Sequence, residues 1–216
     1  MKNAIKAIFG AIGLFDLDDQ DTPNAQETDD SEPQVDHEEF IAQRAQRIEE
    51  TIKETSKAGF KGAVYVFQCS FFDATGETYY SGGAERYVSD LSQIIIEYDY
   101  QPFLIQMGNQ DAPDPWVREC NGLTVVGVNG SNVEYFEIIE RLDDPKLSIY
   151  SGLMDWNGRL HTPNIVISHG VTWDTPRIDV NVDSMKRIID SLESLVSVDT
   201  NTISWFRATF SNSLTV

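Results

Sequence analysis

Two glycine-marked turns carry the residues of this sequence best suited to chemistry. In the first, Ser81-Gly82-Gly83-Ala84-Glu85 stands at the start of a helical pattern. Backbone N–H groups at a helix start can bind phosphate oxygens, and glycine lets an anion come close to the backbone. In the second, His169-Gly170 follows the apolar run Ile165-Val166-Ile167-Ser168. A histidine there can donate a hydrogen bond, or carry positive charge near neutral pH, where negative charge develops. Behind it, Val171-Thr172-Trp173-Asp174-Thr175-Pro176 offers an indole face on which a sugar stacks and a carboxylate that accepts hydroxyl hydrogens. Plainer readings stand beside these. Glycine suits any tight strand-to-helix turn, His169 could be held by a core hydrogen bond, and Trp173 could be a packing anchor. The other histidines, His37 in an acidic stretch and His161 in a polar loop, are expected in solvent.

Several chemistries lack their signatures. Gly-x-Gly-x-x-Gly is absent, and eleven residues separate the first strand from Gly82. No Gly-Lys-Ser/Thr follows the glycine pair, so it is not a Walker loop. A nicotinamide-dependent oxidoreductase is further disfavoured because no Tyr-x-x-x-Lys pair occurs, and serine hydrolase chemistry because no Gly-x-Ser-x-Gly turn does.

The elements that must position these residues are an alternation of strands and helices. Apolar runs of strand length lie at 63–70, 102–107, 123–128, 147–150, 164–168 and 196–198. Most are continuous, as in strands covered on both faces. Helical patterns at 84–98, 133–142 and 185–195 separate several of them. Strand and helix in turn imply βαβ units, right-handed crossovers and an α/β, Rossmann-like open parallel sheet flanked by helices. In such a sheet the loops at the carboxyl ends of the strands face the ligand crevice, and both glycine-marked turns belong to that rim.

A helical and disordered extension precedes the sheet. Residues 1–15 form a short apolar segment in which Ile5, Ile8, Phe9 and Ile12 share a helical face. That pattern fits docking on a partner or on the protein body better than contact with a membrane surface. Residues 16–37 are rich in Asp, Glu, Gln, Pro and Ser and bury too little to be ordered. A helix is predicted over 38–58, with the sheet domain spanning 61–216. The net charge of -19 repels nucleic acid and argues against a nucleic-acid partner. Cys69 and Cys120 have no metal-ligand or Cys-x-x-Cys spacing and read as free thiols in the reducing cytoplasm.

Three motifs in order resemble one family. Ser81-Gly82-Gly83-Ala84-Glu85-Arg86-Tyr87-Val88, then Ile165–Asp174, then Val196-Ser197-Val198-Asp199-Thr200-Asn201 look like the N-terminal domain of family-four glycosyltransferases of the GT-B fold. The resemblance covers about residues 61–210. It implies a retaining hexosyl transfer from a nucleotide-sugar donor to a glycan or lipid-linked acceptor, with no cofactor and no bound metal. By that resemblance Gly82 and Gly83 lie beside the donor phosphates, and His169 contacts the transferred sugar. Thr172, Trp173 and Asp174 would border the acceptor. The family's second, nucleotide-binding domain has no counterpart in the 216 residues. The chain is therefore expected to be one half of a GT-B fold, a natural half or a truncated one, inactive alone and completed by a separate donor-binding chain. The other reading is a non-catalytic Rossmann-like module that assembles with a partner.

Overall fold

Strands buried on both faces read as unbroken apolar runs, and such runs become the parallel core of one sheet. The computed structural model describes residues 36–68, 70–109, 112, 114–152, 160–169 and 189–198, together with 204 and 207. Its strands are β1 (Ala63–Phe67), β2 (Gln101–Met107), β3 (Trp116–Cys120), β4 (Leu123–Val128), β5 (Leu147–Ser151), β6 (Asn164–Ser168) and β7 (Ser194–Ser197). They lie in the order β3-β4-β2-β1-β5-β6-β7. All pair in parallel except β3, which runs antiparallel to β4. This is the open α/β, Rossmann-like sheet expected from the alternation of elements.

Among the described residues the helices with both ends in view are α1 (His37–Thr55), α2 (Gly83–Glu97) and α3 (Asn132–Ile139), which cover the sheet. Alternate residues of each strand point to opposite faces, which divides the core in two. Tyr65, Phe67, Phe103, Ile105, Val126 and Tyr150 meet α1 and α3 on one face. Val64, Val66, Leu104, Val125, Ile149 and Ile167 share the other with Val88 and Ile95 of α2. Helix α1 lays Ile41, Ala45, Ile48 and Ile52 on the sheet, a stripe at helical spacing. Each of its isoleucines contributes about 1.5–3 kcal/mol of burial. Asp36 caps α1, its side chain accepting from the Glu38 N–H. Helix α3 opens with a reciprocal cap: the Ser131 hydroxyl accepts from the Glu134 N–H, and the Glu134 carboxylate accepts from the Ser131 N–H.

Several sequence boundaries are corrected. The first strand stops at Phe67 rather than reaching 70, and the last begins at Ser194. Of the helix expected over 185–195, the described helical residues end at Ser191. Strand β3 was not foreseen. Its exposed Arg118 and Glu119 hide it from a search for apolar runs. Its signal is the two-residue turn Asn121-Gly122, with φ of 51° and 84°. Positive φ at both positions is the geometry of the tight hairpin that Asn-Gly favours. Residues 1–15, and the expected linker up to residue 35, lie outside the described residues, while His37 belongs to α1.

Because Ile48 is 2% exposed between α1 and the sheet, Ile48→Ala should lower unfolding free energy by about 2–5 kcal/mol. Urea denaturation of the two proteins checks this.

Candidate functional site

The strand order reverses at β1. From it the chain crosses first to β2 and later to β5 on its other side, both parallel to it. Ligand crevices of open α/β sheets form outside the carboxyl ends of the strands at such a reversal. Around this point stand Gln68 after β1, Ser151 at the end of β5 and His169 after β6.

The loop from β1 to α2 is built by one side chain. Gln106, 1% exposed near the end of β2, accepts at Oε1 from the N–H groups of Phe71 (2.9 Å) and Phe72 (2.7 Å). Its Nε2 donates to the carbonyls of Phe72 (3.0 Å) and Met107 (2.9 Å). The loop then turns at Asp73, whose carboxylate accepts from the Glu77 N–H and the Thr75 hydroxyl, both at 2.9 Å. Its outer part is held by β3. Trp116 Nε1 donates to the Ala74 carbonyl at 2.8 Å, and Arg118 Nε to the Gly76 carbonyl at 2.7 Å. The Trp116 indole fills the space where side chains at Gly76 and Gly127 would begin. The returning limb is closed by the Tyr80 N–H on the Phe71 carbonyl (3.0 Å) and leads to α2.

At the start of α2, Gly82 is the N-cap in extended conformation and has no side-chain cap. The Glu85 carboxylate folds back into the space where a Gly82 Cβ would lie. Gly83 begins the helix with open space at its own Cβ position. The glycine pair therefore opens a helix, as the sequence suggests, but a carboxylate of the same chain already stands at its positive end.

His169 lies half-buried beside this helix. Its Nε2 is 2.8 Å from Ser151 Oγ, which donates to Gln68 Oε1 at 3.1 Å. Gln68 Nε2 donates to the Ser70 carbonyl at 2.6 Å. The Tyr87 ring meets the imidazole edge-on, with centroids 5.5 Å apart. Burial lowers the His169 pKa from the usual 6.5, and the negative charge of Glu85 opposes that shift. The site thus brings together Glu85 and Tyr87 from one turn and His169 from the other. The sequence alone assigns no role to Gln68 or Ser151. Their signal was a polar residue closing an apolar strand at the reversal. Thr172, Trp173 and Asp174 lie outside the described residues, as does Gly170.

The expectation for His161 is overturned. It is 1% exposed and stacks on Phe67 at 5.7 Å. Its Nδ1 lies 3.0 Å from the Asp144 carboxylate and its Nε2 2.6 Å from the Ile139 carbonyl at the end of α3. Its backbone N–H donates to the Tyr150 hydroxyl at 2.9 Å. This histidine ties α3 to the core. His37 is exposed, as expected, and pairs with Glu137 at 2.7 Å.

A concavity of about 330 Å³ lies between the start of α1 and the end of α3, lined by His37, Glu38, Ile41, Glu137, Glu140 and Arg141. Its charges are largely matched, His37 with Glu137 and Arg141 with Glu38. Among the described residues, no group of three or more His, Cys, Asp or Glu side chains could hold a metal ion. No helix among them is long and apolar enough to cross a membrane.

The lowered His169 pKa sets a sign for stability. As pH falls below 6.5 the unfolded chain takes up this proton first, so stability present above 6.5 is lost as pH falls through the folded value. An NMR titration should place the His169 midpoint below 6.5, and His169→Asn should lose this part of the acid dependence. Gln106→Leu should destabilise the protein by about 1–3 kcal/mol for each amide left buried without an acceptor. It should also speed hydrogen exchange at Phe71 and Phe72.

No family model matches the chain, and no curated protein matches it. Among solved structures it is similar to the solution NMR structure of ALG13, at 17% identity over 72% of this chain and 88% of that chain, with a TM-score of 0.28.

Proposed function

We propose that this chain is the acceptor-side half of a retaining glycosyltransferase, a hexosyltransferase that works in the cytoplasm with a separate donor-binding chain. The observation that carries the proposal is the contact between Tyr87 and His169. It joins the Ser81–Val88 motif to the end of β6 beside the reversal of strand order, where ligands bind in such sheets. In this reading the N–H groups at Gly82 and Gly83 receive the donor diphosphate as the glycosidic bond breaks and charge builds on the leaving group. His169 contacts the transferred sugar. Thr172, Trp173 and Asp174 border a glycan or lipid-linked acceptor. The donor's nucleotide is held by the second chain, without a metal ion or cofactor.

Glu85 favours a second reading. Its carboxylate occupies the approach to Gly82, so an arriving phosphate must displace it. A module that assembles with a partner and performs no transfer would have no need to move it.

Sugar transfer by the full chain, reconstituted with its partner and a nucleotide-sugar, separates the two. The transferase reading expects transfer, reduced on the order of a hundredfold or more by His169→Ala, the scale typical of a lost acid–base or polar catalytic group. Full activity in that variant removes His169 from the reaction. A stable complex without transfer under any donor supports the assembly module. In the transferase reading Glu85→Gln should tighten binding of a nucleoside diphosphate about two- to fivefold, the equivalent of 0.3–1 kcal/mol for a charge at a helix end.

A further inference from the structure

The hydrogen-bond chain at the rim has a direction, and the direction decides which atom of His169 is available to a ligand. The Gln68 carboxamide cannot be turned over without loss, because its Nε2 donates to the Ser70 carbonyl at 2.6 Å. Its Oε1 therefore faces Ser151. An amide oxygen only accepts, so the single hydroxyl hydrogen of Ser151 goes to Gln68, across 3.1 Å. Ser151 Oγ has only acceptor capacity left for its second neighbour, His169 Nε2 at 2.8 Å. A bond there requires the hydrogen on the imidazole.

We infer that Gln68 and Ser151 are positioning residues that fix His169 as the Nε2–H tautomer, leaving Nδ1 as a hydrogen-bond acceptor for a ligand hydroxyl. The inference deepens the glycosyltransferase reading and rests on it for the ligand, though not for the tautomer. Burial favours the neutral ring, so one proton is shared between two nitrogens and Ser151 claims it. Nδ1 has no hydrogen-bond partner among the described residues. The charged group acting on the ring, Glu85, is also an acceptor when ionised. An imidazole lone pair beside a carboxylate suits the O–H donors of a polyhydroxyl ligand and disfavours a phosphate oxygen at the same spot.

The chain also excludes an alternative that the short Ser151–His169 contact invites. A nucleophilic serine gives its hydrogen to the imidazole that activates it. Here the serine hydrogen points the other way, towards an amide oxygen. Ser151 supports the ring and is not activated by it.

The test is the tautomer itself. Long-range 1H–15N correlation spectra of the full chain with 15N-labelled histidine, recorded near pH 8, distinguish the two protonated nitrogens. The His169 signals are assigned by their loss in His169→Asn. The wild-type ring should be protonated at Nε2. In Gln68→Met, Ser151 loses its acceptor and turns its hydroxyl to Nε2, so the Nδ1–H form should become the major one. In Ser151→Ala the bias should fall to a mixture. A wild-type ring protonated at Nδ1 overturns the inference, and so does a tautomer that neither variant moves. This readout needs no ligand and no partner chain, so it stands or falls separately from sugar transfer. If Gln68→Met does not fold, Ser151→Ala carries the comparison, because a free neutral imidazole already prefers the Nε2–H form and only a shift on removing the hydroxyl assigns that preference to Ser151.

Discussion

Gln106 uses all four hydrogen-bonding positions of its carboxamide inside the protein, two from Oε1 to amides and two from Nε2 to carbonyls. The loop after β1 leaves the sheet at a point where its neighbours are other strands and a hydrophobic helix face. Its first backbone groups are buried and have no ladder to join, and an unpaired buried amide is expensive. A carboxamide imitates a peptide group, so Gln106 serves the loop as a short piece of strand. From that anchor the loop reaches out to β3, turns and returns to deliver Gly82 to the start of α2. The position of Glu85 and Tyr87 against His169 follows from it.

The rim has a second polar organiser in Gln68, which is buried and whose amide is also engaged at both ends. The two glutamines divide the labour. One shapes backbone, the other orients a side chain. Around them the charges are asymmetric: the positive end of α2 stands at this rim, and the Glu85 carboxylate sits upon it. The net charge of the chain, -19, adds to the negative field that any anionic ligand would meet. A binding chain that supplies positive charge would complement this surface.

Much of the sheet was legible because β1, β2, β4, β5 and β6 are covered on both sides and therefore apolar at nearly every position. Their interior position in the sheet is what makes them readable. Strand β3 is an edge, and Arg118 and Glu119 face solvent, so its only written sign was Asn121-Gly122. The rim glycines and His169 could be placed on one edge of the sheet from the order of elements alone. Their partners could not. Ser151 and Gln68 become meaningful only when β5 is known to lie beside β1, a pairing separated by some eighty residues of chain. His161 misled for the same reason. Asn157, Gly158, Arg159, Thr162 and Pro163 around it read as a loop despite Leu160, whereas Phe67, Ile139 and Asp144 reach it only in three dimensions.

The Trp116 indole, seated on Gly127 and against Gly76, has a consequence for how the molecule assembles. Residues 42 apart in the chain are joined by the Trp116 bond to Ala74 and the Arg118 bond to Gly76. The β3–β4 hairpin is closed locally by two residues and can form early, while the β1 loop must wait for a much longer closure. By loop length the hairpin closes more readily than the loop that docks on it, so an edge of the sheet separated from β6 by four strands helps to set the shape of the loop that leads to Gly82.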